Sequence, residues 1–221
     1  MDRKQKRLDY CKIQYPFDRI VADHFGIAAH KLYQIHQWLD EEVPFFADKS
    51  FDQGTAIHKH FYALYEQEEF LQRYRQLLIS VVKPQFFNDK PIVYQAKPTF
   101  RVCLPDNVAV GEWHRDKDYN HQDGEVTFML PLTAAFDTNT VWAESEPGKG
   151  DYAPLEANFG EVLAWDSVNL FHGNKLNATG KSRMSVDFRV MLESDFKVGC
   201  GATSNKALGL EFEVGSYYEA M

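Results

Sequence analysis

The sequence predicts an α+β domain in which a helical region comes first and a β-rich region follows. Apolar residues recur at three- and four-residue spacing in the first third of the chain. From residue 91 onward, short runs rich in β-branched and aromatic residues alternate with turn residues. Many short strands separated by turn residues favour a sandwich, a jelly roll or a barrel over alternating β-α-β units. At 221 residues, the chain is long enough for one domain with a substantial core.

Helices are predicted in residues 29–42 and 53–82, where the apolar side chains fall on one face at helical spacing. Pro84 lacks the backbone N–H that a helix interior needs, so we expect this region to end there. The expected helical flank spans residues 1–90.

The predicted strands lie in residues 91–192. Their sequences are IVYQA, TFRVCL, AVGEWH, EVTFMLPLT, TVWAES, GEVLAW and SRMSVDFRV. Turn residues separate them, as in PDN at 105–107, QDG at 122–124 and HGN at 172–174. The tail, residues 193–221, is first rich in glycine and then in aromatic residues, which is compatible with either a flexible flap or a peripheral strand. All three segments are expected to form a single domain, 1–221.

The charge balance favours a small-molecule substrate over nucleic acid. The chain has 32 acidic and 24 basic residues, a formal net charge of −8. Binding to a nucleic-acid backbone depends on clustered Lys and Arg, and this composition does not favour such a surface.

Cysteine usage and hydropathy predict a cytoplasmic protein. The three cysteines, Cys11, Cys103 and Cys200, are odd in number and far apart, which fits neither a disulfide framework nor a paired-cysteine zinc site. The N-terminal residues are charged, with no apolar segment after them, and no stretch of about 18 apolar residues occurs in the chain. Neither export nor membrane insertion is therefore expected.

Two His-x-Asp triplets are candidates for metal-binding chemistry. His114 and Asp116 follow the β-rich run VAVGEW, whereas His121 and Asp123 lie in the polar connection DYNHQDG. Residues two apart in a strand project to the same face, so the first pair can direct an imidazole and a carboxylate to one point. We therefore assign the candidate site to the first triplet.

His172, in the later run LFHGN, is the candidate third ligand. Two histidines and one carboxylate on one face bind Fe(II) and leave three coordination positions open. Two of these positions can chelate a 2-oxo acid, and the third can take O2.

Arg183 and Ser185 are the candidate binding residues for the far end of such a co-substrate. Arg183 follows His172 by eleven residues, and Ser185 lies on the same strand face. The planar guanidinium pairs with a carboxylate through two hydrogen bonds, and the hydroxyl can add a third. Arg189 lies on this face as well, so it remains an alternative for the same role.

The residues HRD at 114–116, LFHGN around 172 and RMS at 183–185 resemble the HxD…H…RxS signature of the Fe(II)/2-oxoglutarate-dependent oxygenase superfamily. This resemblance covers residues 91–192. Within it, segment 111–152 resembles the phytanoyl-CoA-hydroxylase-like branch, and in particular the oxygenases of streptomycin-biosynthesis type.

The resemblance implies a double-stranded β-helix (jelly-roll) core and a dioxygenase that uses Fe(II), 2-oxoglutarate and O2. His114, Asp116 and His172 would hold the metal, and Arg183 and Ser185 would hold the co-substrate. The implied reaction converts 2-oxoglutarate to succinate and hydroxylates a small polar metabolite such as an amino acid or amino sugar.

Two other functions remain open from the residues alone. A cupin-type isomerase or epimerase would keep the metal ligands but would not need Arg183 and Ser185. A non-catalytic jelly-roll binding module would need neither set.

Overall fold

The computed structural model of the protein describes residues 5–38, 54–109, 112–198, 204–205 and 210–221. Within these ranges the chain forms an α+β structure of helices and antiparallel sheets. The helical elements are α1 (Phe17–Phe25), a 3-10 segment (Ala29–Trp38), α2 (Ala56–Ala63), a 3-10 turn (Leu64–Gln67), α3 (Glu69–Leu77), a π turn (Leu78–Val82) and α4 (Lys83–Phe87). No helix in these ranges is long and apolar enough to cross a bilayer.

Helical structure occurs in both ranges where the apolar spacing predicts it, whereas α1 and α4 lie outside those two ranges. The two predicted helices also differ in form from the prediction. The first predicted helix is a 3-10 segment over Ala29–Trp38, and the remainder of its predicted range, 39–42, lies outside the described residues. The second is a series of short helices beginning at α2, which Thr55 caps by accepting a hydrogen bond from the backbone N–H of His58.

The prediction that Pro84 ends the helical region is wrong. Pro84 follows the π turn directly, and both Val82 and Lys83 keep right-handed helical dihedrals, so the helix continues through the proline. The π turn, in which the Lys83 N–H donates to the carbonyl of Leu78, is the irregularity that accompanies the proline. The helix instead ends at Phe87, and Asn88 follows with a left-handed φ of 51°.

The strands form a seven-stranded sheet, a three-stranded sheet and a two-stranded pair, all antiparallel. The strands are β1 (Lys6–Asp9), β2 (Ile92–Gln95), β3 (Thr99–Cys103), β4 (Val126–Pro131), β5 (Val141–Ala143), β6 (Ala153–Pro154), β7 (Glu161–Trp165), β8 (His172–Asn174), β9 (Arg183–Leu192), β10 (Ser204–Asn205), β11 (Leu210–Glu211) and β12 (Tyr218–Ala220). The large sheet has the order β1-β7-β4-β9-β2-β12, with β3 also paired to β9, and the small sheet has the order β6-β5-β8.

Six strands lie outside the predicted β runs: β1, β6, β8, β10, β11 and β12. β1 falls in the expected helical flank, because it pairs along its length with β7, far away in the sequence. β8 occupies the HGN segment predicted to be a turn, because residues 172–174 pair with β5. In the tail, β12 pairs with β2, so residues 218–220 form a peripheral strand.

Two apolar clusters pack against opposite faces of the large sheet. The larger cluster joins the helices to one face, through side chains such as Phe128 and Phe188. The smaller lies on the other face, where Met129 and Leu163 pack with Ala143 of the three-stranded sheet. The second face of the large sheet is therefore covered by the small sheet, and the candidate site lies between them.

Candidate metal centre

The polar side chains of β9 line a cleft between the two sheets. Alternate residues of this strand, including Met184 and Phe188, are buried in the apolar cluster under the helices. Because strand side chains alternate between faces, the residues between them project to the opposite side. Those that line the cleft are Arg183, Asp187 and Arg189.

The backbone brings His114 and His172 together. They form an antiparallel bridge in which each N–H donates to the carbonyl of the other at 2.9 Å, and their ring centroids lie 4.5 Å apart. Each Nδ1 lies 2.9 Å from the carbonyl two residues earlier, that of Glu112 or Leu170. These contacts favour the tautomer with the proton on Nδ1, which leaves the Nε2 lone pair available to a metal.

Asp116 completes the cluster from a short 3-10 helix, Asp116–Tyr119, rather than from the strand that the sequence predicts. Its backbone N–H donates to the carbonyl of Ser167 at 3.0 Å. Its Oδ1 lies 3.5 Å from Nε2 of His114 and 3.7 Å from Nε2 of His172. One donor atom from each of the three residues lies within 4.8 Å of the other two, an arrangement that could hold a metal ion.

The surroundings keep both Asp116 and His172 in the forms that bind metals. Burial opposes ionisation of Asp116, but the charge of Arg189 outweighs it and holds the pKa of the carboxyl well below its usual range. Burial lowers the pKa of His172 to about 4, so its imidazole is neutral near neutral pH. A charged carboxylate and a neutral imidazole are the states that donate electron pairs to a cation.

Arg189, the alternative co-substrate arginine, is already paired with Asp116. Its Nη2 and Nε lie 2.6 and 3.2 Å from Oδ2 of that carboxylate. The same Nε also lies 3.6 Å from the buried carboxylate of Glu125. The guanidinium of Arg189 is therefore enclosed by two acidic groups.

Arg183 lies in the same cleft with a different set of partners. It is 1% exposed, its Nη1 donates to Ser185 Oγ at 2.7 Å, and its Nε donates to the carbonyl of Asn139 at 3.1 Å. Both partners are neutral, and burial lowers the pKa of the guanidinium. Among the described residues, Arg183 has no ion-pair partner.

Sequence reasoning missed two features of the cleft. Ser167 donates to Oδ2 of Asp116 at 2.7 Å, and nothing in the local pattern around Ser167 distinguishes it from an ordinary turn residue. Asp187 pairs with Arg101 at 3.6 Å. The alternation along β9 could have indicated Asp187, because it shares a face with Arg183 and Arg189.

Comparison with known proteins gives one match in sequence. The chain is 35% identical over 175 residues to the streptomycin biosynthesis protein StrG of Streptomyces griseus, and the match covers 79% of this chain and 81% of the relative. The chain belongs to the StrG family. No protein-family model matches it.

Solved structures resemble this StrG-family chain only distantly. AviO1 from Streptomyces viridochromogenes Tue57 is 17% identical, with 88% of this chain and 93% of AviO1 covered and a TM-score of 0.46. The non-heme alpha-ketoglutarate-dependent carbocyclase SnoK from nogalamycin biosynthesis is 9% identical, with coverages of 86% and 80% and a TM-score of 0.45.

The second His-x-Asp triplet of this StrG-family member contributes no donor to the cluster, although the backbone N–H of His121 donates to the carbonyl of Asp116 at 3.3 Å. Nδ1 of His121 is 2.8 Å from Oε2 of Glu125, and Asp123 is exposed. Over the described residues, the cluster of His114, Asp116 and His172 is the one group of three that could hold a metal.

Proposed function

We propose that this StrG-family protein is a 2-oxoglutarate-dependent oxygenase with Fe(II) held by His114, Asp116 and His172. The donor set supports this choice, since two imidazoles and one carboxylate suit Fe(II) and leave half of an octahedral coordination sphere open. When bound, the iron would supply the activation of O2 for substrate oxidation. The relative's role in streptomycin biosynthesis is compatible with a small polar metabolite as the substrate and hydroxylation as the reaction.

The observation that carries the proposal is the buried, unpaired charge of Arg183. The cleft holds three guanidinium groups, and two of them are matched, Arg189 with Asp116 and Arg101 with Asp187. The charge of Asp187 also acts on Arg183, but that carboxylate is paired with Arg101 and is linked to Arg183 through the Ser185 hydroxyl. A buried guanidinium without an ion pair of its own favours an anionic ligand. A dicarboxylate chelated at the metal would bring its second carboxylate to such a cation.

Each residue of the cleft has a distinct role in this proposal. Arg183 would bind the distal carboxylate of 2-oxoglutarate through its planar fork, and Ser185, which is fully buried beside it, would hold the guanidinium in position. Trp165 contacts His172 edge-on at a centroid distance of 4.7 Å and forms an apolar wall that helps exclude water.

We further propose that the two facing sheets are the halves of a double-stranded β-helix, and that the protein acts in the cytoplasm. The support for the jelly roll is the apolar cluster that joins the sheets and the position of the donor residues between them.

The test is to mix the protein with Fe(II) and 2-oxoglutarate in the absence of O2 and to record the visible spectrum. A bidentate 2-oxo acid on iron is expected to give a metal-to-ligand charge-transfer band. The band should be absent in His172→Ala, present in the control His121→Ala, and recoverable in Arg183→Ala at high 2-oxoglutarate concentration.

Readmitting O2 in the presence of fractionated metabolites should then identify compounds that accelerate succinate formation. Tight metal binding with neither band nor succinate would contradict the proposal in favour of a cupin-type isomerase or epimerase. Failure to bind metal at all would indicate a binding module.

A further inference from the structure

The two oxygens of the Asp116 carboxylate have different surroundings. Oδ2 accepts hydrogen bonds from Arg189 Nη2 at 2.6 Å, Arg189 Nε at 3.2 Å and Ser167 Oγ at 2.7 Å. Oδ1 instead faces Nε2 of His114 and of His172 at 3.5 and 3.7 Å. The lone pairs of one oxygen are thus occupied by protein donors, while the other points into the candidate metal position.

This asymmetry decides how many coordination positions the protein would use. A carboxylate can bind a cation through one oxygen or through both. With one oxygen, the three residues take three of six octahedral positions, and with both oxygens they take four. Two exchangeable positions would then remain instead of three.

Arg189 also contacts buried groups other than Asp116. Glu125 is fully buried and lies 3.6 Å from Nε of Arg189, and Nη1 of Arg189 donates to the hydroxyl of Tyr217 at 3.2 Å. Glu125 also accepts a hydrogen bond from the Tyr218 hydroxyl at 2.8 Å. Two residues of the C-terminal segment therefore hold the arrangement: Tyr217 contacts the guanidinium of Arg189, and Tyr218 contacts its partner Glu125. This segment joins the large sheet through β12.

Ser167 is held in the same way. Its hydroxyl lies 2.5 Å from that of Thr127 on β4, so the oxygen that donates to Asp116 is anchored to the large sheet. Both donors to Oδ2 thus have a second, buried partner.

We propose that Arg189 and Ser167 are positioning residues that restrict Asp116 to one metal-coordinating oxygen, and that Tyr217 and Tyr218 brace this arrangement from the C-terminal segment. The inference rests on the proposed function only in requiring a metal ion at the three donors. It does not depend on the identity of the co-substrate.

Mn(II) is a suitable probe, because its water ligands can be counted from the broadening of its electron paramagnetic resonance lines in 17O-enriched water. The wild-type protein should hold Mn(II) with about three water ligands, the number left by three single-atom donors in an octahedron. The double variant Ser167→Ala/Arg189→Lys should lose one of them, because Oδ2 becomes available to the metal. Lysine keeps the positive charge between the two acidic groups but cannot supply the paired donors of the fork.

The matched control is Arg75→Lys. Arg75 is a partly buried arginine whose Nε lies 3.4 Å from Glu219 of β12, so the substitution alters an ion pair to the same strand as Tyr218 without reaching Asp116. Its water count should equal that of the wild type. A purely structural role for Arg189 would lower the unfolding midpoint of the double variant and leave its water count unchanged.

Three water ligands in the folded double variant would overturn the inference. If that variant does not fold, the single variant Arg189→Lys keeps the positive charge between the two acidic groups, removes the paired guanidinium donors to Oδ2 and should also lower the count, and three waters there would overturn the inference equally. A wild-type protein that binds no Mn(II) would overturn both this inference and the proposed metal centre. If Mn(II) has three water ligands in the wild type and two in the double variant, but 2-oxoglutarate displaces none of them, only the assignment of 2-oxoglutarate as co-substrate would be contradicted.

Discussion

Replacing Arg183 by Met should weaken 2-oxoglutarate binding strongly while leaving metal binding intact. Truncating one partner of a buried, charge-assisted pair costs about 2–5 kcal/mol. This corresponds to roughly a 30-fold to several-thousandfold loss of affinity. Because Arg183 is 1% exposed, little water can replace its hydrogen bonds, so we expect a loss in the upper part of this range.

The same substitution should affect folding stability far less than Arg189→Met. Arg183 has only neutral hydrogen-bond partners in the apoprotein, the Ser185 hydroxyl and the Asn139 carbonyl. Removing Arg189 instead leaves two buried carboxylates, Asp116 and Glu125, without their shared cation. Breaking a buried pair in this way costs about 3–5 kcal/mol.

Two measurements separate these effects. The dissociation constant of 2-oxoglutarate on the Fe(II)-loaded protein, without O2, reports the role of Arg183, and urea unfolding of the apoprotein reports the loss of stability. Arg183→Lys should recover part of the affinity, since a point charge cannot reproduce the planar fork. The reasoning would be refuted if Arg183→Met bound 2-oxoglutarate normally while folded Arg189→Met lost it at unchanged metal affinity.

The remaining predictions concern the metal donors and their neighbours. Metal at about 100 times its dissociation constant should stabilise the protein by about 2.7 kcal/mol, which raises the unfolding midpoint by roughly 5–11 °C, and a chelator should reverse the shift. His172→Ala should lose this shift, because a three-residue site has no spare ligand. His121→Ala should keep it, because the His121 ring contacts Glu125 and is not one of the three donors. A full shift in His172→Ala would contradict the donor assignment. Gly173→Ala should destabilise the apoprotein by about 1–3 kcal/mol in urea unfolding, since an added Cβ would lie 2.5 Å from the Trp113 ring. Adding Trp113→Ala should relieve part of that clash, and an unchanged midpoint in Gly173→Ala would show that the ring moves freely.

The parts of the fold that depend on local pattern could be predicted from the sequence. Apolar spacing indicated the helical structure from residue 29 and from residue 53 onward but not α1, and the period of two along β9 placed Arg183 and Arg189 on one face. Residue type and spacing also selected His114, Asp116 and His172, which the structure brings together.

The parts that depend on distant pairing could not be predicted. β1 reads locally as a charged N-terminal segment, and it is a strand because β7 offers it a partner more than 150 residues away. The HGN segment has the residues of a turn, yet β5 holds it extended as β8. In both cases tertiary contact overrides local propensity, as is common for strands.

The choice between Arg183 and Arg189 is the part of the site that the local sequence could not decide. Both arginines occupy the same face of one strand, and their residue type is identical, so local sequence leaves them equivalent apart from their spacing to His172. The structure separates them by their counter-charges: Asp116 is 73 positions from Arg189 in the sequence and lies 2.6 Å from its guanidinium, whereas Arg183 has neutral partners. An arginine already neutralised by a candidate metal ligand is suited to orienting that ligand, and a buried arginine with no ion pair of its own is suited to receiving an anion. The two roles therefore follow from what each guanidinium contacts. The effect of a substitution at either position depends on which of these contacts it removes.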